Sequence, residues 1–181
     1  MPAPLVQVIL LVANTGCNLL TALLLMRFFM QWSRTPFDNP IGGFVLHLTN
    51  WLVLPLRRIV PAVRGFDTAS LLAAYLAQVL LIALVVALTS VYPLFAADTL
   101  LRIAVDGLRV LVRVSVYLFI VLLIAQAILS WFNPRAPLNW IVGRLTDPLL
   151  RPLRRFIPPI ANIDVTPLIA ILLAQIVLIF V

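Results

Sequence analysis

The stretch from Leu71 to Phe95 contains no charged residue. A helix crossing hydrocarbon about 30 Å thick needs roughly 20 apolar residues at about 1.5 Å rise each. Inside lipid, only a helix or a closed barrel satisfies every backbone group. A chain with such a run is therefore expected to fold around a bilayer. Three more segments are candidate spans by length and apolar content: Leu5 to Phe29, about Val110 to Phe132, and Asp164 to Val181. The first is interrupted by Asn14, Thr15, Asn18 and Thr21, uncharged groups that suit a helix–helix contact. It lacks a basic leader and a small-residue cleavage site, so it is expected to stay as a helix. The last crossing is short, since a helix from Pro167 to Val181 rises only about 22 Å. Starting at Asp164 and tilt or thinning nearby would compensate.

Composition agrees. Of 181 residues, 64% are hydrophobic and 10% charged, where a soluble domain carries about 25% charge. An ordinary cytosolic enzyme and a disordered chain are both excluded. All 13 basic residues are Arg and all 6 acidic ones Asp. The net charge of +7 does not point to nucleic acid, which needs a basic face on a soluble module. The Arg lie between apolar blocks, which favours anionic lipid headgroups as partner. Cys17 is the one cysteine and His47 the one histidine. No metal site, cofactor site or catalytic constellation is expected from them.

The two halves align. Leu48-Thr49-Asn50 matches Leu145-Thr146-Asp147, and Pro55-Leu56-Arg57-Arg58 through Pro61 matches Pro152-Leu153-Arg154-Arg155 through Pro158. Asp67 matches Asp164, Leu71-Leu72-Ala73 matches Leu168-Ile169-Ala170, and Ala77-Gln78 matches Ala174-Gln175. All keep an offset of 97, while upstream Trp32 meets Trp131 at 99. Two repeats, 1–97 and 98–181, are expected, each of them span, Arg-rich loop, span. The fold class is then an all-α membrane protein of about four transmembrane helices, built as two parallel helical hairpins with interfacial amphipathic helices. An even number of crossings per repeat makes the repeats parallel and puts both Arg loops on one side. Those loops carry Arg34, Arg57, Arg58, Arg64, Arg135, Arg144, Arg151, Arg154 and Arg155, against Arg102, Arg109 and Arg113 in the middle connection. The positive-inside bias places the loops in the cytoplasm and both termini outside, in an inner membrane.

The loops are themselves apolar. Ile41 to Pro61 and Leu138 to Pro158 are rich in Leu, Ile and Val around Arg, Pro, Trp51 and Trp140. That composition predicts short helices lying in the interface, broken by proline, with guanidinium groups among phosphates. Arg57, Arg58, Arg151, Arg154 and Arg155 are the expected contacts to lipid or to a protein partner. Asp67, Asp164, Thr166 and Pro167 read as helix starts, with Thr166 the cap and Pro167 in the first turn. Ala73 and Ala77, with Ala170 and Ala174, form small-residue stripes for close helix packing, and Gln78 and Gln175 are expected to hydrogen-bond across helices.

The pattern LTxPxxxPLRRxxP followed by IDxTP, spanning Leu145 to Pro167, together with Trp131-Phe132-Asn133-Pro134 and the duplication, resembles the YGGT family of membrane proteins. The resemblance covers nearly the whole chain. The first repeat departs from the pattern at Asn50-Trp51 and lacks the proline after its capping hydroxyl. The resemblance implies links with osmotic stress tolerance and cation uptake, with haem attachment in photosynthetic membranes, or with cell division. It carries over no catalytic residue.

Three functions compete. A non-enzymatic scaffold or assembly factor would dock a membrane or cytoplasmic protein on the Arg loops, or pair with a second copy. Lipid anchoring alone, at about 1 kcal/mol per basic group, also explains those Arg. A component of osmotic-stress tolerance or cation transport is the alternative, but no Asp, Glu or His is expected deep in any of these spans. An enzyme is the weakest reading: His47 has no nucleophile motif beside it, and its counterpart is Arg144.

Overall fold

The computed structural model describes residues 4–60, 65–89, 97–132, 137–156 and 165–181. They form six helices: α1 (Pro4–Trp32), α2 (Pro40–Ile59), α3 (Thr68–Thr89), α4 (Ala97–Phe132), α5 (Pro137–Arg154) and α6 (Thr166–Phe180). Helices α1, α3 and α4 are long and apolar enough to cross a membrane, whereas α6 is a shorter apolar helix. The protein is thus an all-α, multi-pass membrane protein. Asp164, Arg64 and Arg135 lie outside the described residues.

Two expectations are corrected. The loop helices are not broken by proline: α2 runs 20 residues through Pro55, and α5 runs 18 residues through Pro148 and Pro152. Each proline removes a backbone bond and frees a carbonyl one turn earlier. The prolines sit at exposed or half-exposed positions, where headgroups or water can take up those carbonyls. Meanwhile Val45, Thr49 and Val53 on α2, and Ile141, Val142, Leu145 and Leu150 on α5, are buried and hold each helix down.

The second correction concerns α4, which begins at Ala97 and not near Val110. Its 36 residues rise about 54 Å, far more than one hydrocarbon thickness. The extra length is held by packing on α3. Ile103, Gly107 and Leu111 recur at helical spacing and are buried, and a Cβ on Gly107 would stand 2.8 Å from Val79 Cγ2. The Tyr75 hydroxyl donates to the Ala104 carbonyl at 3.1 Å.

The core gathers where α1, α3 and α4 meet the interfacial helices: Leu24, Leu25, Met30, Val53, Ala73, Ala74, Leu122 and Leu145 belong to one cluster. Helix α1 packs most extensively on α3, because Ala69, Ala73 and Ala74 let the backbones approach. Ala170 joins a smaller cluster with Leu123 and Leu150.

The turn from α1 into α2 is tightly specified. Arg34 takes a left-handed φ of 54° as Thr35 N donates to Met30 O at 2.9 Å, closing α1. Asn39 then caps α2, its side-chain oxygen accepting from Gly42 N at 2.8 Å, with Pro40 in the first turn. Gly42 is required by close approach, since a Cβ there would stand 2.5 Å from Phe37 O. Gly42→Ala is expected to cost about 1–3 kcal/mol through overpacking against immovable backbone. Gly43→Ala, with nothing within 4 Å of its Cβ position, should leave stability unchanged or raised. Thermal unfolding of both variants in nanodiscs checks this, and equal midpoints would refute the close-approach account.

Candidate functional site

Near the loop-side end of α1, the Arg27 side chain is only 2% exposed. It is the residue that reading the first span as merely polar overlooked. Its Nε donates to Asp67 Oδ2 at 3.2 Å, and its Nη1 donates to Thr49 Oγ1 and to Asn50 Oδ1, both at 2.9 Å. Asp67, 1% exposed, immediately precedes α3. Its carboxylate also accepts from Arg57 Nη2 at 2.7 Å and from the Ser70 hydroxyl at 2.6 Å. The Thr49 hydroxyl in turn donates to Val45 O at 2.6 Å. Gln31 ties the rim, donating to Gly65 O at 2.9 Å, where Gly65 takes a φ of 84°.

One guanidinium therefore joins α1, α2 and the start of α3. A buried charge is tolerated only when paired and hydrogen-bonded, and both conditions hold here. Burial alone would raise the Asp67 pKa, but hydrogen bonds from Arg57 and Ser70, with the charges of Arg57 and Arg27, bring it below its ordinary value. A depressed carboxylate stabilises the fold above its unfolded pKa of about 3.9 and loses that effect as pH falls through the lower folded value.

The expected site residues are placed as follows. Asp67 does start α3, as Ser70 N donates to its Oδ1 at 3.3 Å, yet its principal partners are the two arginines. Arg57 is half-exposed at 38% and turned onto Asp67, so it clamps α2 as well as facing outward. Arg58 and Arg155 are exposed. Arg151 and Arg154 pair with Asp147 at 3.6 and 3.0 Å. Thr166 is not the cap of α6: Val165 takes that position without a side-chain cap bond, Thr166 is buried, and Pro167 lies in the first turn.

Ala73 and Ala170 are buried, and Ala77 and Ala174 half-buried. Gln78 is fully buried, donating to Thr21 Oγ1 at 2.9 Å and Asn18 Oδ1 at 3.1 Å. Gln175 departs from expectation, being exposed on α6, because no described helix packs on that side of α6 as α1 packs on α3. His47 is exposed on α2. Among the described residues no group of three or more His, Cys, Asp or Glu is placed to hold a metal.

The offset of 99 that pairs Trp32 with Trp131 pairs Arg27 with Gln126. Thr146, the counterpart of Thr49, donates to Gln126 Oε1 at 2.6 Å. The second half thus makes the same contact between long and interfacial helix with a neutral amide. A signal was available in the sequence: one arginine in an otherwise uncharged stretch, with an acid, Asp67, at the start of the next apolar run.

Arg27→Met should lower stability by about 3–5 kcal/mol, the penalty for stranding a buried charge. Arg57→Met, at a half-exposed pair, should lower it by about 1 kcal/mol or less. The double variant Arg27→Met with Asp67→Leu should be more stable than the sum of its singles. Acid unfolding below about pH 4 should lose its Asp67 component in Asp67→Asn. Unfolding followed in nanodiscs checks each, and an Arg27→Met protein as stable as Arg57→Met would remove the cluster's structural role.

A family model described as CCB3/YggT matches residues 6–88 and 105–181, in keeping with a two-repeat form. The chain is 36% identical over 166 residues to "Uncharacterized protein YggT" of Escherichia coli (strain K12), covering 91% of this chain and 84% of the relative. It is 33% identical over 158 residues to "Uncharacterized protein in proC 3'region" of Vibrio alginolyticus, covering 86% and 83%. A shorter likeness, 31% over 64 residues, covers 32% of this chain and 67% of "Uncharacterized protein ycf19" of Guillardia theta. No solved structure matches the chain. With the model match over both halves and relatives at this identity, the chain belongs to the CCB3/YggT family.

Proposed function

We propose that this protein is a non-enzymatic scaffold or assembly factor of the inner membrane. In this reading four spans form two parallel hairpin repeats, 1–97 and 98–181, with both termini outside the cytoplasm. Helices α2 and α5 lie on the cytoplasmic leaflet and present arginine and aromatic side chains to anionic lipid and to a protein partner.

The observation that carries the reading is the fastening of α2. Lipid anchoring needs only an apolar face and a few basic groups. Here α2 is held in addition by a buried guanidinium bonded to Thr49 and Asn50, which fixes its rotation. The face left outward carries Phe44, Trp51, Leu54 and Arg58. On α5 the outward face carries Trp140, with the Arg144 guanidinium 5.0 Å from its ring centroid, and Arg151. Large aromatic and arginine side chains at fixed positions suit protein recognition, where such groups concentrate binding energy.

A second reading, ion passage linked to osmotic tolerance, draws on Gln78. Its Oε1 is buried without a hydrogen-bond partner among the described residues, beside Asn18 and Thr21 between α1 and α3. Ion flux through the purified protein in liposomes decides that reading, and absence of flux ends it.

The scaffold reading is tested with a photo-crosslinking residue at Trp51, Arg58 or Arg151 in native membranes. A discrete protein adduct is expected, weakened when Arg58, Arg151 and Arg155 are replaced by Gln with little change in stability, since all three are exposed. Recovery of lipid adducts alone would reduce these helices to membrane anchors.

A further inference from the structure

One face of α4 carries Asp98, Arg102, Asp106, Arg109 and Arg113, recurring every three or four residues. This is a continuous stripe down one side of the helix. It lies opposite Ile103, Gly107 and Leu111, the residues turned to α3. Its members are exposed or half-exposed; the Asp106 and Arg109 side chains are 49% and 64% accessible and pair with each other at 3.0 Å.

Packing fixes the depth of this stripe. Gly107 meets Val79, which stands at the middle of α3, and α3 from Thr68 to Thr89 contains no charge. Asp106 and Arg109 are thereby level with the centre of the most apolar of the three long spans. Arginine can extend toward the headgroups, but an aspartate at that depth cannot reach them. Charges at this level face a protein interior or a water-filled cavity and pair with one another. Among the described residues of one copy, no other helix covers the stripe.

We infer that the α4 stripe is the contact between two copies of this chain, related by a two-fold axis along the membrane normal. This stands independently of the scaffold reading. The argument is charge complementarity. From Asp98 to Arg109 the signs alternate at one-turn spacing, Asp98, Arg102, Asp106, Arg109, and Arg113 follows as a second positive charge. Copies inserted the same way lie parallel, so a residue meets its twin and the twin's neighbours one turn above and below. Asp106 then stands level with its twin, and the long side chains of Arg102 and Arg109 of the other copy reach it from one turn to either side, as Arg102 reaches Asp98. The same operation closes the assembly at two copies, because an isologous face is used up by its own partner.

The test uses the full chain with Cys17→Ser and one introduced cysteine in native membranes. Val105→Cys, flanking the stripe, is expected to form a disulfide-linked dimer. Leu19→Cys, exposed on α1, should not. The charge logic is tested by co-expressing an acidic variant, Arg102→Asp with Arg109→Asp, and a basic variant, Asp98→Arg with Asp106→Arg, under different tags. Each alone should lose self-association at least about tenfold, while the two together recover a heterodimer in nanodiscs, which also shows that both fold. Should both variants fail to insert, the neutral Asp106→Asn is expected to weaken the wild-type dimer. A monomeric wild type in nanodiscs would overturn the inference. So would full reaction of Val105→Cys with a membrane-impermeant maleimide, or crosslinks from that position only to a different protein.

Discussion

A guanidinium removed from water at the edge of a bilayer must find its counter-charge and acceptors inside the protein, and Arg27 finds them on two other elements. That requirement orders the first half of the molecule. Asp67 has to arrive at the start of α3 level with the last turns of α1, and α2 has to present Thr49 and Asn50 to the same point. Small residues on α3 then follow as a consequence. Ala69, Ala73 and Ala74 are what allow α1 close enough for a direct 3.2 Å contact between Nε and carboxylate. Replacing such a pair by well-packed apolar groups is often neutral for stability, so its value is in specifying one arrangement.

The second half meets the same packing problem with a neutral residue at the Arg27 position. Gln126 and Thr146 make a neutral hydrogen bond where Arg27 and Thr49 make a charged one. Asp147 stands where the first half has Asn50, and it pairs with Arg151 and Arg154 on the surface of α5. Surface pairs of this kind contribute little. The α2 attachment is therefore electrostatically pinned, while α5 rests mainly on Ile141, Val142, Leu145 and Leu150. Helices α2 and α5 share a sequence pattern but differ in how they are held.

Hydrophobic runs made the long helices legible, since period and length are set by the bilayer and not by neighbours. The matched Pro-Leu-Arg-Arg segments located both interfacial helices for the same reason. What the sequence concealed was tertiary. Arg27 was absorbed into an apolar stretch, because hydropathy averages over a window and one charge hardly moves it. The continuity of α2 and α5 through their prolines was hidden because the penalty depends on which way the freed carbonyls face. Arg57 looked like a lipid anchor, and only the arrival of Asp67 from ten positions away turns it inward. Gln175 matched Gln78 in sequence but not in surroundings, for Gln78 has α1 across from it.

The length of α4 connects these differences. By the offset of 99, Phe29 corresponds to Ile128, yet its ring packs on Phe119 with centroids 4.6 Å apart. The two halves are thus slid past one another by nine residues, about 13 Å of helix. Two repeats related by rotation alone would place Phe29 near its own counterpart and would need an α4 no longer than α1. The slide demands a longer helix, one that can run beside α3 with its first half and still carry α5 and α6 on its second. It also pulls the segment from Asp98 to Arg113 alongside an uncharged span, where a simple hairpin would have left it outside the hydrocarbon. A helix in that position cannot be apolar on one side and charged on the other unless something polar covers the charged side, so the asymmetry of the halves is itself a reason to look for a second subunit there.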